Sequence, residues 1–541
     1  MPAIMTGSEL RPRRPRPSAL RGIAVAAPLG ACLGAFGGPA FPASEAPRSG
    51  QASEISSITE RFDLVVEVRD LERWWRRPGF EALTAVLERR ISDSELGSLW
   101  RDLASSSGYE DSELAQRLFG EELVLGLPIE GRDDPSWIAS MRVDEDRRRE
   151  LLSRLPLRPL GRGRHELRGH DLVILDRPPH LIAGPPAVIA RVPIAAADGD
   201  GDEVHDAGRP IVEVEVRRGL AVAPMRLAMR LDGASISIQG TQRVRASTTD
   251  STLDLDPSLR QALDHLRGSH AAVVATVAGG PSPIGLEWIA VLPEMAVPPA
   301  LGRCALERRV WTVGETCGDA ADRLRAHPTL AVAAAFEVRD ASEGEQRLAA
   351  WAAGLAAAVD RRFESLGLPD VEVLRTVDGG TIPLAALARA VFGGHALAER
   401  VRVDWSSASG ATGEWVLVGT GGAYLRSVRD AFEPVVPIAA DPLEPVTVPG
   451  APDALADGAW RLVQVGWIDA ERLAGHLGHW RERGIDLFEP DRARRLRPSL
   501  ERMFEATSAF QQAQWSFEEH ASGQRRFEIR LTPASNPAPM P

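Results

Sequence analysis

The stretch "MRLAMRLDGASISIQ", residues 225–239, decides how this chain is read. Met225, Leu227, Met229 and Leu231 alternate with polar or small residues, Asp232-Gly233 follows, and Ile236 and Ile238 resume the alternation. Aspartate-glycine between two period-two runs is the strongest short-range hairpin signal. It predicts two antiparallel strands, each with one buried face. The pattern extends in both directions. "IVEVEV" at 211–216 alternates valine with acids, and "RFDLVVEVRD" at 61–70 reads as a strand that ends at a helix cap. "EELVLGLP" and "SWIASMRVD" read as paired strands, and "AQWSFEEHASGQRRFEIRLT" at 513–532 as a final hairpin. Between them "PGFEALTAVLERR" carries Phe80, Leu83, Val86 and Leu87 at helical spacing. "SELAQRLFG" is a second helix, with Gly120 at its end.

Short words recur in order along the chain. "EVRD" stands at 67–70 and 337–340, and "ALTAVLERR" at 82–90 resembles "GLAAAVDRR" at 354–362. "LAQRLFG" at 114–120 resembles "LARAVFG" at 387–393, and "MRVD" at 141–144 resembles "VRVD" at 401–404. "GHDLVILDRPPHL" at 169–181 can be laid on "GEWVLVGTGGAYL" at 413–425. Collinear matches predict an internal repeat. The fold expected is α+β, with two related domains, each an antiparallel-rich sheet with packed helices. The first spans 59–328 and the second 329–533, with a Pro-rich insertion at 433–458 and a frayed tail at 534–541. Asp70 and Asp340 are expected to cap helices and Gly120 and Gly393 to end them, which are backbone duties.

Residues 1–46 have the plan of an export leader: Arg11, Arg13, Arg14, Arg16 and Arg21, then a short apolar run, then small residues. The run falls short of the about 20 apolar residues of a membrane span. "GGPA" ending at Ala40 and "SEA" ending at Ala46 offer cleavage sites, and "LGAC" makes Cys32 a lipidation candidate. Residues 47–58 read as a tether. The expected location is therefore the periplasm or cell envelope, with membrane contact only through a lipid anchor at Cys32.

The net charge of −12 argues against nucleic-acid binding, which needs a basic face. The chain contains no lysine; all 63 basic residues are arginine. That excludes a Walker phosphate loop, a PLP Schiff base and the kinase phosphate clamp, all of which need a lysine amine. No cofactor is expected. Cys304 and Cys317, the two cysteines beyond the leader, are expected to pair in an oxidising compartment.

Other chemical signals are weak. Asp198, Asp200 and Asp202 are spaced like the start of a calcium loop, but Glu203 and Arg209 occupy its glycine and final acid positions. His476 and His479 share a helix face and are weak metal candidates without a third ligand. His165 and His170 receive no metal role. "VGTGGAY" at 418–424 lacks the third glycine of a dinucleotide fingerprint, and Ser282 lacks a nucleophile elbow. Residues 147–168 carry eight arginines, suited to an anionic envelope partner or to a salt-bridged helix face. Thirteen tryptophans, including Trp74, Trp75 and Trp100, are expected mostly in the core.

The order of leader, "FDLVVEVRDLERWW", "RLFGEELVLGLP" and hairpin strands resembles a family of exported bacterial proteins with a domain of unknown function, best over residues 56–190. The resemblance brings no activity and no site residue. The expected role is non-catalytic binding or scaffolding of an envelope component. The alternatives are a hydrolase with a carboxylate or histidine site, and a periplasmic carrier of lipid or lipoprotein.

Overall fold

The structure is a computed structural model. It describes residues 62–69, 103–110, 121–127, 137–192, 210–217, 225–232, 235–243, 251–278, 299–315, 330–364, 374–376, 379–383, 402–411, 413–420, 422–433, 460–479, 481–482 and 507–534, with a few isolated positions between them. The first ten strands are β1 (Leu64–Arg69), β2 (Glu122–Leu127), β3 (Ile138–Arg142), β4 (Leu157–Gly161), β5 (Arg164–Leu167), β6 (Val173–Arg177), β7 (His180–Gly184), β8 (Val212–Val216), β9 (Met225–Asp232) and β10 (Ser235–Arg243). The second ten are β11 (Ala272–Val277), β12 (Ala305–Glu315), β13 (Leu330–Val338), β14 (Leu374–Thr376), β15 (Gly379–Pro383), β16 (Arg402–Gly410), β17 (Gly413–Gly419), β18 (Trp460–Asp469), β19 (Phe510–His520) and β20 (Gln524–Pro533). Helices among the described residues include, in chain order, α1 (Glu145–Arg154), α2 (Pro186–Ile189), α3 (Pro257–Ser269), α4 (Ala341–Glu364), α5 (Gly422–Phe432) and α6 (Ala470–His479).

All twenty strands among the described residues join one antiparallel sheet. Its order is β4-β5-β6-β7-β3-β2-β1-β8-β9-β10, then β20-β19-β18-β11-β12-β13-β17-β16-β15-β14. This corrects the expectation of two related α+β domains. Strand dominates, and the sheet runs unbroken across the division read at residues 328 and 329. β12 and β13, on either side of that division, are hydrogen-bonded neighbours, and β10 pairs β20 across it with Ile238 opposite Ile529. Unpaired strand edges are unfavourable, so pairing β10 with β20 satisfies two edges at once.

Within this one sheet the strand order is used twice. Each of the first ten strands has the same strand neighbours as the strand ten later, and helices follow both β3 and β13 and both β7 and β17. The register agrees rung by rung: Val65 opposite Gly126 matches Val273 opposite Thr312, and Val173 opposite Gly184 matches Asp404 opposite Gly419. Those word matches that lie on described strands do not follow this correspondence, and at least one member of each of the pairs 82–90 with 354–362 and 114–120 with 387–393 falls outside the described residues. Glu67, Val68 and Arg69 of the first "EVRD" end β1, whereas "EVRD" at 337–340 runs off the end of β13, the counterpart of β3. The true partner of Asp340 is Asp144. Asp144 accepts from the Arg147 amide and Asp340 from the Glu343 amide, both at 2.9 Å, so each caps the helix after its strand.

The local rules account for the elements. The hairpin at 225–239 forms, with Leu231 opposite Ile236. β1 alternates, with Leu64, Val66 and Val68 buried on one face and Val65, Glu67 and Arg69 half-buried on the other. β11 is buried throughout because helices cover its second face. α3 starts at Asp256, whose carboxylate accepts from the Leu259 amide at 2.8 Å, and buries Leu259, Ala262, Leu263 and Leu266. Aromatic rings cover strand glycines directly opposite them: Phe527 over Gly240, Trp515 over Gly466 and Trp405 over Gly380. Each ring fills the space that a missing side chain would leave. Trp515 also donates its indole N–H to Gln464 at 3.0 Å, which satisfies a buried amide.

Candidate functional site

The repeated strand order allows each position to be compared with its counterpart. One location stands out, on the face of the sheet that carries Val65 in the first half and Val273 in the second. In the first half it is apolar: Phe62, Ile138, Val173, Leu175, Ile182 and Ile189 pack as one cluster, and the Phe62 ring lies against Gly126. At the corresponding rungs the second half has Ala333, Asp404, Ser406 and Leu417, with Thr312 in the place of Gly126. His270 precedes β11 where Phe62 precedes β1, and Tyr424 opens the helix after β17 where Ile189 lies in the helix after β7.

The polar set is deeply buried; His270 and Thr312 are each 1% exposed, and Asp404 is 6% exposed. The Tyr424 hydroxyl donates to Thr312 Oγ1 at 2.9 Å, and its ring meets the His270 ring edge-on with centroids 4.9 Å apart. His270 Nδ1 lies 3.0 Å from the Leu266 carbonyl in the last turn of α3 and 2.8 Å from Ser269 Oγ. A carbonyl only accepts, so the bond to Leu266 requires the proton on Nδ1. Nε2 is then an unprotonated nitrogen, buried without a partner among the described residues. Burial drives the His270 pKa down to about 4, so the ring is neutral near pH 7. Burial likewise raises the Tyr424 phenol, so it acts as a hydrogen-bond donor and not as a base. The group ties the C-terminal end of α3 and the first turn of α5 to the sheet.

The same face differs again over β1 and β8. Here the first half carries Glu67, Arg69, Glu213 and Glu215, where the second half has Ala275, Val277, Val465 and Trp467 beneath α3. Arg69 pairs with Glu67, with Glu213 at 3.5 Å and with Glu122 at 3.9 Å. Glu215 holds Arg217 at 2.6 Å and Arg226 at 3.0 Å. Glu213 is 45% exposed and Arg226 67% exposed, so water reaches this network. Burial raises the Glu67 pKa to about 7 against the attraction of Arg69, and its hydrogen bond to Glu122 adds to the rise. Two carboxyl groups sharing one proton explain that bond.

The residues singled out in the sequence fall elsewhere. His476 is half-buried on α6, which also carries His479, and the described residues contain no group of three metal-ligating side chains. Cys304, expected to pair with Cys317, has a free buried thiol that donates to the Leu301 carbonyl at 2.8 Å, and burial raises its pKa. Cys317, the leader with Cys32, the calcium-like loop, Ser282 and Trp74, Trp75 and Trp100 lie outside the described residues, as do the tether and nearly all of the Pro-rich insertion and the tail. "VGTGGAY" is the β17–α5 connection. A Cβ on Gly419 would lie 2.8 Å from the Val332 carbonyl, and one on its counterpart Gly184 would lie 2.9 Å from the Trp137 carbonyl. No described helix is long and apolar enough to cross a membrane.

His270, Thr312, Asp404 and Tyr424 escaped the sequence reading because they lie on four separate elements. One signal was available: the chain has two tyrosines, and such a scarce residue in a buried helix turn marks a specific hydrogen bond. No protein-family model, no curated protein and no solved structure matches the chain.

Proposed function

We propose that the chain is an exported envelope protein, built by copying one unit, that acts by binding or scaffolding. One observation carries this reading. The side chains that both halves keep at matched positions, Gly184 with Gly419 and Asp144 with Asp340, serve the backbone. The reactive types differ between the halves and already have structural duties. His270 holds a helix carbonyl, Tyr424 holds Thr312, and the Glu67 carboxylate holds Arg69. The solvent-reached network of β1, β8 and β9 is the surface best suited to a partner, since its counterpart lies beneath α3.

Two measurements test this. Mass spectrometry of the mature amino terminus is expected to show an acylated Cys32 or a start near Phe41 or Pro47; an intact Met1 in the cytoplasm would sink export. Photo-crosslinkers placed at Glu213 and Arg226 in living cells are expected to give discrete adducts, with none from Arg260 on α3. Silence at both network positions would remove the binding role.

A further inference from the structure

We propose that the β4–β5 hairpin is a contact site for an anionic lipid bilayer. The inference stands apart from the reading above and rests on the arginine-rich segment 147–168. The structure divides that segment in two. On α1, Arg147 pairs with Asp144, Arg148 with Asp176, Arg149 with Glu145 and Arg154 with Glu150, so this part is a salt-bridged helix. On the hairpin only Arg158 is paired, with Glu166. Arg162, Arg164 and Arg168 have no ion-pair partner among the described residues, and Arg162 and Arg168 are exposed.

This hairpin also presents Leu160, which at 50% exposure is the one exposed large hydrophobic side chain among the described residues. It sits between Pro159 and a tight turn in which Gly161, Arg162 and Gly163 all have positive φ. β4 is the end strand of the sheet, paired with β5 alone among the described residues. Pro159 has no amide hydrogen, and the register shifts beside it, so this edge is a poor template for an added strand. What it offers instead is side chains: a leucine able to enter the acyl boundary and arginines able to fork onto phosphates. That combination fits a lipid surface better than an acidic peptide, which has no use for the exposed leucine.

The test uses the full chain carrying Cys32→Ser, so that no acyl anchor forms, and sedimentation with phosphatidylglycerol-containing and pure phosphatidylcholine vesicles. Binding to the anionic vesicles alone is expected, falling as salt rises. Arg162→Glu with Arg168→Glu should weaken it by about five-fold for each arginine. Leu160→Ser should weaken it while leaving the salt dependence. Arg168 lies outside the tight turn, so Arg168→Glu alone carries the test if the double variant fails to melt like the parent. Equal binding to both vesicle types, no binding, or undiminished binding by a folded variant would overturn the proposal. Displacement by inorganic phosphate at constant ionic strength would also overturn it, by assigning the arginines to a soluble anion.

Discussion

Val173 and Asp404 occupy the same rung of the same strand order, one in each half of the sheet, and both are buried. Around Val173 the neighbours are Phe62, Leu175 and Ile189; around Asp404 the matched positions hold His270, Ser406 and Tyr424. The backbone solution is common to both, while the filling is oil in one half and hydrogen bonds in the other. Over β1 and β8 the difference reverses, with charge in the first half and apolar residues under α3 in the second. The lesson is that a strand order constrains glycines and helix caps tightly. It leaves the chemistry of a covered face to whatever packs on it.

The largest test of that contrast uses Trp415 and its counterpart His180. Trp415 is fully buried against Phe432, at 4.7 Å between ring centroids. Trp415→Ala should cost about 3–5 kcal/mol in chemical denaturation, and His180→Ala, at a half-buried position, about 1 kcal/mol or less. Equal losses would break the claim that the halves are filled differently.

His270 supplies the next effect. Its folded pKa of about 4 lies below the ordinary value of 6.5. Between these values the unfolded chain binds a proton that the folded chain does not, so stability falls as pH drops through this window. The loss should reach about 3 kcal/mol. His270→Phe, which copies Phe62, should flatten that slope, as measured by melting at successive pH values.

Gly184→Ala and Gly419→Ala should each cost about 2 kcal/mol, because a Cβ would meet a neighbouring carbonyl at 2.9 and 2.8 Å. Similar losses sharpen the claim of shared backbone duty; a neutral change at either glycine breaks it. Glu67→Gln should show the opposite pH sign to His270. The folded pKa of about 7 exceeds the ordinary 4.5, so the carboxyl favours folding below 4.5 and loses that contribution as pH rises through 7. The variant should gain about 1 kcal/mol over the parent at pH 8, and nothing at pH 4, after allowing for solvent at this partly exposed site.

How much of this could be read in advance varies with the range of the interaction. The 225–239 hairpin was legible because alternation and a glycine turn act over a few residues. The cap at Asp340 was read in advance, whereas the cap at Asp144 was not, although its word "MRVD" was noted; Asp70, the other cap expected, lies outside the described residues. "MRVD" and "EVRD" suggest only that a strand is ending, and "EVRD" occurs twice, so the words do not choose the pair. The ionised face was half legible: "VEVEV" shows acids on one side of β8, but nothing local shows that β1 supplies Arg69 beside them.

Sequence by itself determined strand alternation, hairpin and cap positions, the acidic balance and the absence of lysine chemistry, because each depends on residue type or near-neighbour spacing. Tertiary structure decided that all strands share one sheet and that their order is used twice. It also brought His270 against Tyr424 and Thr312. Those outcomes depend on which distant edges pair, and backbone hydrogen bonds between strands are almost indifferent to the side chains they carry.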